Sequence, residues 1–235
     1  VYHYLTEARY NGARVVLISP DVSPSHSHVD MHVPVNWGSD PALALSMCQV
    51  IIEEGLVDED FVRTQTDLSL LVRTDTERFL RASDLTEDGN DEQFFHLVDG
   101  AVTEADRGDL LAGRGAVLQG TAEVTLTDGS TVEVRPLFVR LRDHLDAYRP
   151  ESVATTVGVP ADTLRKLARM AGSGRTMINI GGSASKTYHA DLFQRSILLV
   201  LALTGNWGRL GTGTGWWNVT HGDCLLLGAA KLAAG

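Results

Sequence analysis

Two short apolar runs in the chain end abruptly at polar loops. Residues 14–18 (RVVLI) are continuously apolar and β-branched, which predicts a central parallel strand buried on both faces. A second run, Met177–Ile180, stops at Gly181 and Gly182. Ligands of open α/β sheets bind beyond the carboxyl ends of the strands, so both runs predict strands that open into ligand-accessible loops.

Helical periodicity surrounds these strands. Residues 190–204 carry apolar side chains around most of the helix, which predicts a buried helix with Gly205 as its C′ residue. A second glycine-rich loop is expected over residues 206–215. Further helices are predicted over residues 2–10, 42–54, 58–63, 137–147 and 160–171. Asp40 is expected to be the N-cap of the second of these, with Pro41 at its first position.

The middle of the chain follows a different pattern. Residues 123–134 alternate on either side of Asp128 and Gly129, which predicts a β-hairpin. We interpret residues 83–136 as a loop and hairpin insertion into one region that spans residues 1–235. Because strand, loop and helix recur in that order at both ends, the expected fold class is α/β. A mainly parallel Rossmann-like sheet with flanking helices carries the small antiparallel insertion.

Composition and charge narrow the function classes. Apolar residues make up 43% and charged residues 21% of the chain, as in ordinary globular proteins. A net charge of −10 argues against nucleic acid or an anionic membrane as the main partner. The longest apolar run is too short to span a bilayer. Cys48 and Cys224 have no CxxC partner, so cysteines of this chain alone build neither a zinc site nor an iron–sulfur cluster.

The segment HSHVDMH has the composition of a metal cluster. On a strand, residues two apart share a face, so His28, Asp30 and His32 can point the same way. Nothing else in the segment anchors a metal, and hydrogen-bonded or solvated histidines are the favoured interpretation. No residue of the chain is assigned as a metal ligand.

The chain contains no other catalytic or nucleotide-binding motif in the structural context that the motif requires. The glycines of residues 205–213 do not follow a strand and open a helix, so they are not a dinucleotide fingerprint. No P-loop and no GxSxG elbow is present. Lys186 and His189 lie three residues apart in a glycine-containing loop, where His189 can shuttle protons near neutral pH. Each also suits a plain structural or surface role.

Three stretches together resemble the dimethyl sulfoxide reductase family of molybdopterin oxidoreductases: LTEARYNGARVVLISPDVSPS, HVPVNWGSDPALALSMCQVIIEEGLVDEDFV and GGSASKTYHADLFQRSILLVLALTGNWGRLGTGTG. The last stretch is most similar to the type II branch, which includes ethylbenzene, steroid side-chain and dimethyl sulfide dehydrogenases and nitrate and selenate reductases. The resemblance implies an internal fragment of a molybdenum-dependent catalytic subunit. Such a subunit binds bis(molybdopterin guanine dinucleotide) and oxidises or reduces a small substrate by two electrons.

The resemblance also implies roles for individual residues. Lys186 and His189 are implied catalytic residues. Lys186 would hydrogen-bond an oxygen of substrate or product near molybdenum, and His189 would support the pterin or carry protons. The implied cofactor-binding residues are Ser19, Pro20, Asp21, Ser23, Trp37, Gly38, Asp40, Gly181, Gly182, Ser183, Ser185 and Asn206. In this set, the carboxylates can accept hydrogen bonds from guanine or ribose, and the serine hydroxyls can reach phosphate.

Family members are several times longer than this chain. The histidine/cysteine iron–sulfur motif, the molybdenum-ligating carboxylate and the C-terminal β-barrel domain are not among these residues. We therefore expect an iron–sulfur cluster elsewhere in the parent chain, and a fragment that is inactive alone. The expected partners are the rest of the catalytic subunit, an electron-transfer iron–sulfur subunit and a small-molecule substrate, without nucleic acid or direct membrane insertion. The location of the parent stays open between periplasm and cytoplasm.

Two alternatives remain at this point. One is a nucleotide-dependent dehydrogenase domain, which needs a phosphate-binding fingerprint that the chain lacks. The other is a non-catalytic α/β scaffold or interaction domain that kept the fold and lost the cofactor.

Overall fold

The structure, a computed structural model, describes residues 2–106, 108–109, 111–182 and 186–216. Its helices are α1 (Tyr2–Tyr10), α2 (Asp40–Glu53), α3 (Glu59–Gln65), α4 (Ala82–Leu85), α5 (Leu137–Leu145), α6 (Pro150–Val157), α7 (Ala161–Gly172) and α8 (Ala190–Leu203). Its strands are β1 (Val16–Ile18), β2 (Met31–Val33), β3 (Leu71–Arg73), β4 (Phe95–Val98), β5 (Ala101–Glu104), β6 (Ala122–Thr125), β7 (Thr131–Pro136), β8 (Met177–Ile180) and β9 (Gly213–Trp216). Short 3₁₀ helices cover Pro24–His28, Asp67–Ser69 and Asp146–Tyr148. No helix in these ranges has the length and apolar character needed to cross a membrane.

Helix α2 is the centre of the main hydrophobic core. It packs against α5, α6, α7 and α8, and its sequence DPALALSMCQVIIE is apolar on nearly every side. Ile51 from α2, Leu164 from α7 and Leu201 from α8 are fully buried together in this core. Each such side chain contributes about 1.5–3 kcal/mol by leaving water. The core therefore fixes α2 and α8 relative to each other.

Over the described residues, the strands form four separate small sheets and not the one mainly parallel sheet that the sequence predicts. Strands β1 and β2 make one parallel pair, in which Val16 faces Met31, and β8 and β9 make another. Among the described residues, the other strands form two antiparallel sheets, β3-β7-β6 and β4-β5. Strand β1 is also not buried on both faces, since Ile18 is 36% exposed. The α/β class is confirmed, whereas a mainly parallel Rossmann-like sheet is not seen.

The antiparallel part has a small core of its own. That core contains Leu71, Leu80, Phe95, Leu97, Val132 and Val134. The predicted hairpin at Asp128 and Gly129 is confirmed: β6 and β7 pair around it, and Gly129 has a φ of +84°, which glycine adopts without strain. Because β3 at Leu71–Arg73 already pairs with β7, the antiparallel part begins earlier than the expected boundary at residue 83.

Local differences from the expected elements have simple causes. Helix α2 begins at Asp40 with Ser39 as its N-cap, one position before the expectation, because Asp40 itself has helical geometry. Helix α8 ends at Leu203 and is followed by Gly205 with a φ of +62°, as the periodicity predicts. Helix α6 and strand β9 were not predicted. The sequence of β9, GTGW, has little intrinsic preference for a strand, and its pairing with β8 creates it.

Candidate functional site

The predicted site loops leave the carboxyl ends of parallel strands. Strand β1 ends at Ile18 directly before residues 19–23, and β2 ends at Val33 before the loop of residues 34–39. Since Ile18 and Val33 are register partners in a parallel pair, both loops emerge at the same edge. Strand β8 likewise ends at Ile180, directly before Gly181. These are the edges where α/β proteins bind ligands.

Helices α2 and α8 run side by side in the same direction. The Cys48 Sγ in the middle of α2 lies 4.0 Å from the Ser196 carbonyl oxygen in the middle of α8. Past the end of α2, the Asp58 backbone N–H donates to the Leu203 carbonyl at the end of α8, at 2.8 Å. The amino ends of the two helices therefore lie at the same end of the α2–α8 pair. This packing places the loop of residues 34–39 and the described residues 186–189 on the same side of the α2–α8 pair.

Neither of these amino ends is capped by a side chain. The Ser39 hydroxyl before α2 makes no capping bond and instead donates to the Asn36 carbonyl at 2.7 Å. His189, the residue before α8, makes no side-chain capping bond either. The first backbone N–H groups of a helix have no partner inside it, and they sit at the positive end of its dipole. The shared side of α2 and α8 is therefore suited to an anionic group.

Asp40 is the half-buried carboxyl at this side. Burial raises its pKa above the ordinary aspartate value, and it forms no ion pair with any described residue. Beside it, Trp37 is 64% exposed and Gly38 has a φ of +80° with open space where a side chain would lie. A partly desolvated carboxylate without a paired cation can accept hydrogen bonds from ligand donors, such as the N–H groups of a purine base.

The loop before α8 presents its polar side chains to solvent. Lys186 and His189 are both exposed, and the rings of Tyr188 and His189 lie 3.9 Å apart between centroids. His189 has a φ of +58°, a left-handed conformation that is uncommon outside glycine and marks local strain. Gly181 is exposed and Gly182 is half-exposed in the same loop. Ser183 and Ser185 lie outside the described residues.

The loop after β1 is held by its own serines. The Ser19 hydroxyl donates to the Asp21 carbonyl at 2.7 Å, and the Ser23 hydroxyl accepts from the Ser25 backbone N–H at 3.3 Å. Pro20 and Asp21 are exposed between them. The hydroxyls of Ser19 and Ser23, which are predicted to contact phosphate, thus each already have a hydrogen-bond partner close by in the chain.

The segment HSHVDMH has no metal-binding geometry. Asp30 is bound instead to the Arg9 guanidinium at 2.6 Å and to the Val15 backbone N–H at 2.8 Å. The hydrogen bonds from Arg9 and Val15 hold the pKa of the Asp30 carboxyl below its usual value. His28 belongs to a 3₁₀ helix, so the strand alternation that would align it with His32 does not apply. Within the described ranges, no three histidine, cysteine or acidic side chains are grouped to hold a metal ion.

Asn206 lies away from the other predicted site residues. Its side-chain oxygen accepts from the Thr176 backbone N–H at 2.8 Å, and its side-chain nitrogen donates to the Ala171 carbonyl at 3.2 Å. Thr176 precedes β8, whereas Gly181 follows it, so Asn206 is at the opposite edge of the parallel pair. With 3% of its surface exposed, it joins the end of α7 to the turn after α8. These hydrogen bonds give Asn206 a structural role, and its cofactor contact stays a prediction.

Two positioning residues were missed by the sequence analysis. Asn36 anchors the loop before α2 because its side chain donates to the Thr156 carbonyl at 3.0 Å and its backbone N–H donates to the Val157 carbonyl at 2.8 Å. His32 contacts Ser19 across the β1–β2 pair. No local sequence pattern identifies Asn36 as a positioning residue, since its hydrogen-bond partners are in α6, which was not predicted. His32 was noticed only as a metal-ligand candidate.

Comparisons with known proteins agree on one family. The family model described as molybdopterin oxidoreductase matches residues 2–234. The perchlorate reductase alpha subunit of Dechloromonas aromatica is 35% identical over 241 aligned positions, covering 90% of this chain and 26% of the relative. The dimethylsulfide dehydrogenase alpha subunit of Rhodovulum sulfidophilum is 35% identical, covering 92% and 25%. The respiratory nitrate reductase alpha subunit of Haloferax mediterranei is 36% identical, covering 89% and 23%.

The fold also matches a solved structure. Acetylene hydratase from Pelobacter acetylenicus superposes with a TM-score of 0.55 at 18% identity, over 89% of this chain and 20% of that one. At this identity the match concerns the fold alone. The chain spans about a quarter of the length of the curated relatives that it matches.

Proposed function

Because the chain belongs to the molybdopterin oxidoreductase family, we propose that it forms one part of the pocket for bis(molybdopterin guanine dinucleotide) in a longer catalytic subunit. The family itself implies a molybdenum–molybdopterin cofactor. The guanine dinucleotide form is the finer part of the proposal. It is motivated by the hydrogen-bonding groups and helix amino ends on the side of the molecule where α2 and α8 begin.

The observation that carries the proposal is the convergence of two uncapped helix ends. Helices α2 and α8 are parallel, and each begins directly after a loop at the carboxyl end of a strand. Two positive helix ends on one side suit the pyrophosphate of a dinucleotide better than one. A dehydrogenase of the Rossmann type would instead place its glycine motif between a strand and a helix. Here residues 205–212 connect α8 to β9, which is the wrong order.

The residues at the amino ends of α2 and α8 suit the guanine dinucleotide. Asp40 would accept hydrogen bonds from the N–H groups of guanine, since its half-buried carboxyl has no cation of its own. Gly38 leaves room for close approach of the ligand to the backbone, and Trp37 offers an exposed ring face. Exposed Asp21 would accept from ribose hydroxyls. When bound, the cofactor supplies two-electron chemistry at molybdenum, while these residues bind and orient it.

The loop before α8 would face the reacting end of the cofactor. Lys186 would donate a hydrogen bond to an oxygen of substrate or product, and His189 would support the pterin or hold a proton. The left-handed backbone of His189 supports this role, because strained residues are retained where function needs them. Tyr188 is 87% exposed and its ring contacts the His189 ring at an interplanar angle of 57°, so it belongs to the same surface.

Exposed apolar side chains point to the rest of the catalytic subunit as the first partner. Leu210 is 91% exposed, and Leu192 and Leu198 of α8 are exposed by 47% and 40%. Apolar surface of this kind is usually covered by another segment or chain. The relatives are named as alpha subunits, and we propose that the parent likewise works with an electron-transfer iron–sulfur subunit and carries an iron–sulfur cluster of its own. Its substrate would be a small molecule.

Replacing Asp40 with Asn tests the nucleotide part of the proposal. In the full-length polypeptide produced without cofactor, Asp40→Asn is expected to weaken guanosine diphosphate binding about tenfold or more, because a hydrogen bond to a charged acceptor is lost. Isothermal titration calorimetry measures the dissociation constant. NADH is expected to show no saturable binding in the same cell. Asp162→Asn is the matched control, since Asp162 is fully exposed on α7.

The stability of the same variant separates binding from folding. A raised pKa means that ionisation of Asp40 opposes folding, so its unfavourable contribution grows as pH rises from the unfolded pKa to the raised folded pKa and is complete above it. Asp40→Asn should therefore keep or raise the free energy of unfolding at pH 7, with a smaller change at pH 4. Equal guanosine diphosphate binding by Asp40→Asn and by the unmodified protein would contradict the assigned contact. Tight NADH binding would favour the dehydrogenase alternative.

A further inference from the structure

His32 lies where it can control the loop after β1. It is in the middle of β2, in register with Leu17 of β1, and its side chain is partly buried. The His32 Nε2 is 3.1 Å from the Ser19 carbonyl oxygen and 3.2 Å from the Ser19 hydroxyl oxygen. The ring of His26 packs edge-on against it, with centroids 4.9 Å apart. One ring nitrogen thus contacts both polar oxygens of a single residue.

The position of the protons follows from these partners. A carbonyl oxygen can only accept, so the Ser19 carbonyl needs a donor from His32. The Ser19 hydroxyl gives its own proton to the Asp21 carbonyl at 2.7 Å, so towards His32 it must accept as well. The His32 Nε2 therefore carries a hydrogen and donates at both contacts. Either the neutral ring with its proton on Nε2 or the imidazolium satisfies this requirement.

We propose that His32 is a positioning residue for the nucleotide loop of residues 19–23, an inference that rests on the proposed function. Its Nε2–H directs the Ser19 hydroxyl proton onto the Asp21 carbonyl and closes the turn. The Ser19 backbone N–H is held as well, by the Val33 carbonyl at 3.2 Å. The backbone N–H, the carbonyl and the hydroxyl of Ser19 thus all have partners in the protein. The Ser19 hydroxyl proton is therefore not donated to phosphate.

The clamp leaves other donors free for the ligand. The backbone N–H groups of Asp21, Val22 and Ser23 donate to no group of the described residues. They follow directly on the turn that His32 and Ser19 close. Free backbone N–H groups are hydrogen-bond donors for phosphate oxygens. His32 acts on the ligand only through the geometry of these groups.

Two substitutions of His32 test the clamp in the full-length polypeptide produced without cofactor. His32→Leu removes the donor and is expected to raise the dissociation constant for guanosine diphosphate about tenfold, because two partly buried acceptors lose the N–H that positions the loop. It should also speed hydrogen exchange of the Ser19 backbone N–H about tenfold, since the turn opens more often. His32→Gln keeps an N–H at a similar reach and should stay within about threefold of the unmodified protein in both measurements. His3→Leu is the control, since His3 is exposed on α1.

The outcomes distinguish the inference from the function on which it rests. If the unmodified protein binds no guanosine diphosphate but His32→Leu still accelerates exchange at Ser19, the clamp stands and the nucleotide proposal fails. If the protein binds the nucleotide and His32→Leu changes neither affinity nor exchange relative to His3→Leu, the inference is overturned. A His32→Gln variant as defective as His32→Leu also overturns it, because the donor would not be what matters.

Discussion

Replacing Asn206 with Leu is expected to lower the free energy of unfolding by about 3 kcal/mol, since each buried polar group left without a partner costs about 1–3 kcal/mol. The Asn206 side chain accepts from the Thr176 N–H and donates to the Ala171 carbonyl and the Thr204 hydroxyl. Leu has a similar volume but hydrogen-bonds none of these groups, so the Thr176 N–H loses its partner while the Ala171 carbonyl keeps only the Thr176 hydroxyl as a donor. Urea unfolding followed by circular dichroism measures the loss.

The matched control for this substitution is Asn90→Leu. Asn90 is exposed, and its side-chain oxygen accepts from the Glu92 backbone N–H at 2.9 Å. Water replaces that partner, so the expected loss is below about 1 kcal/mol. If both variants lose the same amount, Asn206 does not hold the turn after α8 as described. It would then be free for the ligand contact that the family resemblance implies.

Gly205→Ala is the second change with a large expected effect. Gly205 has a φ of +62°, and a Cβ there would lie 2.2 Å from the Asp58 Oδ2. Asp58 caps α3 by accepting from the Phe61 N–H at 3.0 Å and lies 3.5 Å from the Arg209 guanidinium. The left-handed backbone costs about 1–2 kcal/mol and the forced shift of Asp58 adds a comparable amount, so we expect a total loss of about 3 kcal/mol. Urea unfolding measures it.

Gly208→Ala isolates the two contributions. Gly208 lies in the same turn with a φ of +71°, but a Cβ there meets nothing within 4 Å. Its expected loss is the conformational cost alone, about 1–2 kcal/mol. The excess at Gly205 should shrink when Asp58→Ala is added, because the clashing carboxylate is then gone. An excess that is undiminished by Asp58→Ala would show that the clash with the Asp58 carboxylate is not its cause, since only the contact with the Asp58 Cβ at 2.9 Å remains in that variant.

The local elements could be predicted because their determinants are local. The 3.6-residue periodicity of α8 and the glycine after it specify both the helix and its end. Asp128 and Gly129 specify the turn between β6 and β7 in the same way. The edge at which the loops cluster also follows from the sequence, since the polar loops begin where the apolar strands stop.

The pairing of strands could not be predicted from the chain. Whether β1 and β8 share a sheet depends on contacts between residues more than a hundred positions apart, and periodicity carries no information about them. Strand β9 exists because Thr214 pairs with Ile178, although its glycines disfavour a strand. The expectation of one mainly parallel sheet came from the order of elements alone.

The roles of single polar residues were equally inaccessible. Asn206 was placed in the site by its match to the family resemblance, yet its partner Ala171 is 35 positions away. His32 was weighed as a metal ligand, yet its partner is Ser19 on the neighbouring strand. In both cases the side chain has several possible partners, and only the fold decides which one it meets. The parallel packing of α2 and α8, on which the proposed site depends, is of the same kind.

The most direct test of the central claim is the cofactor content of the full-length polypeptide purified under native conditions. We expect stoichiometric molybdenum, together with a fluorescent oxidised pterin and guanine nucleotide released on denaturation. On one preparation, metal analysis measures molybdenum, fluorescence measures the oxidised pterin, and chromatography of the released material measures the guanine nucleotide. A correctly folded full-length chain that contains neither molybdenum nor pterin would contradict the account, and the α2–α8 side would then be a scaffold without a cofactor.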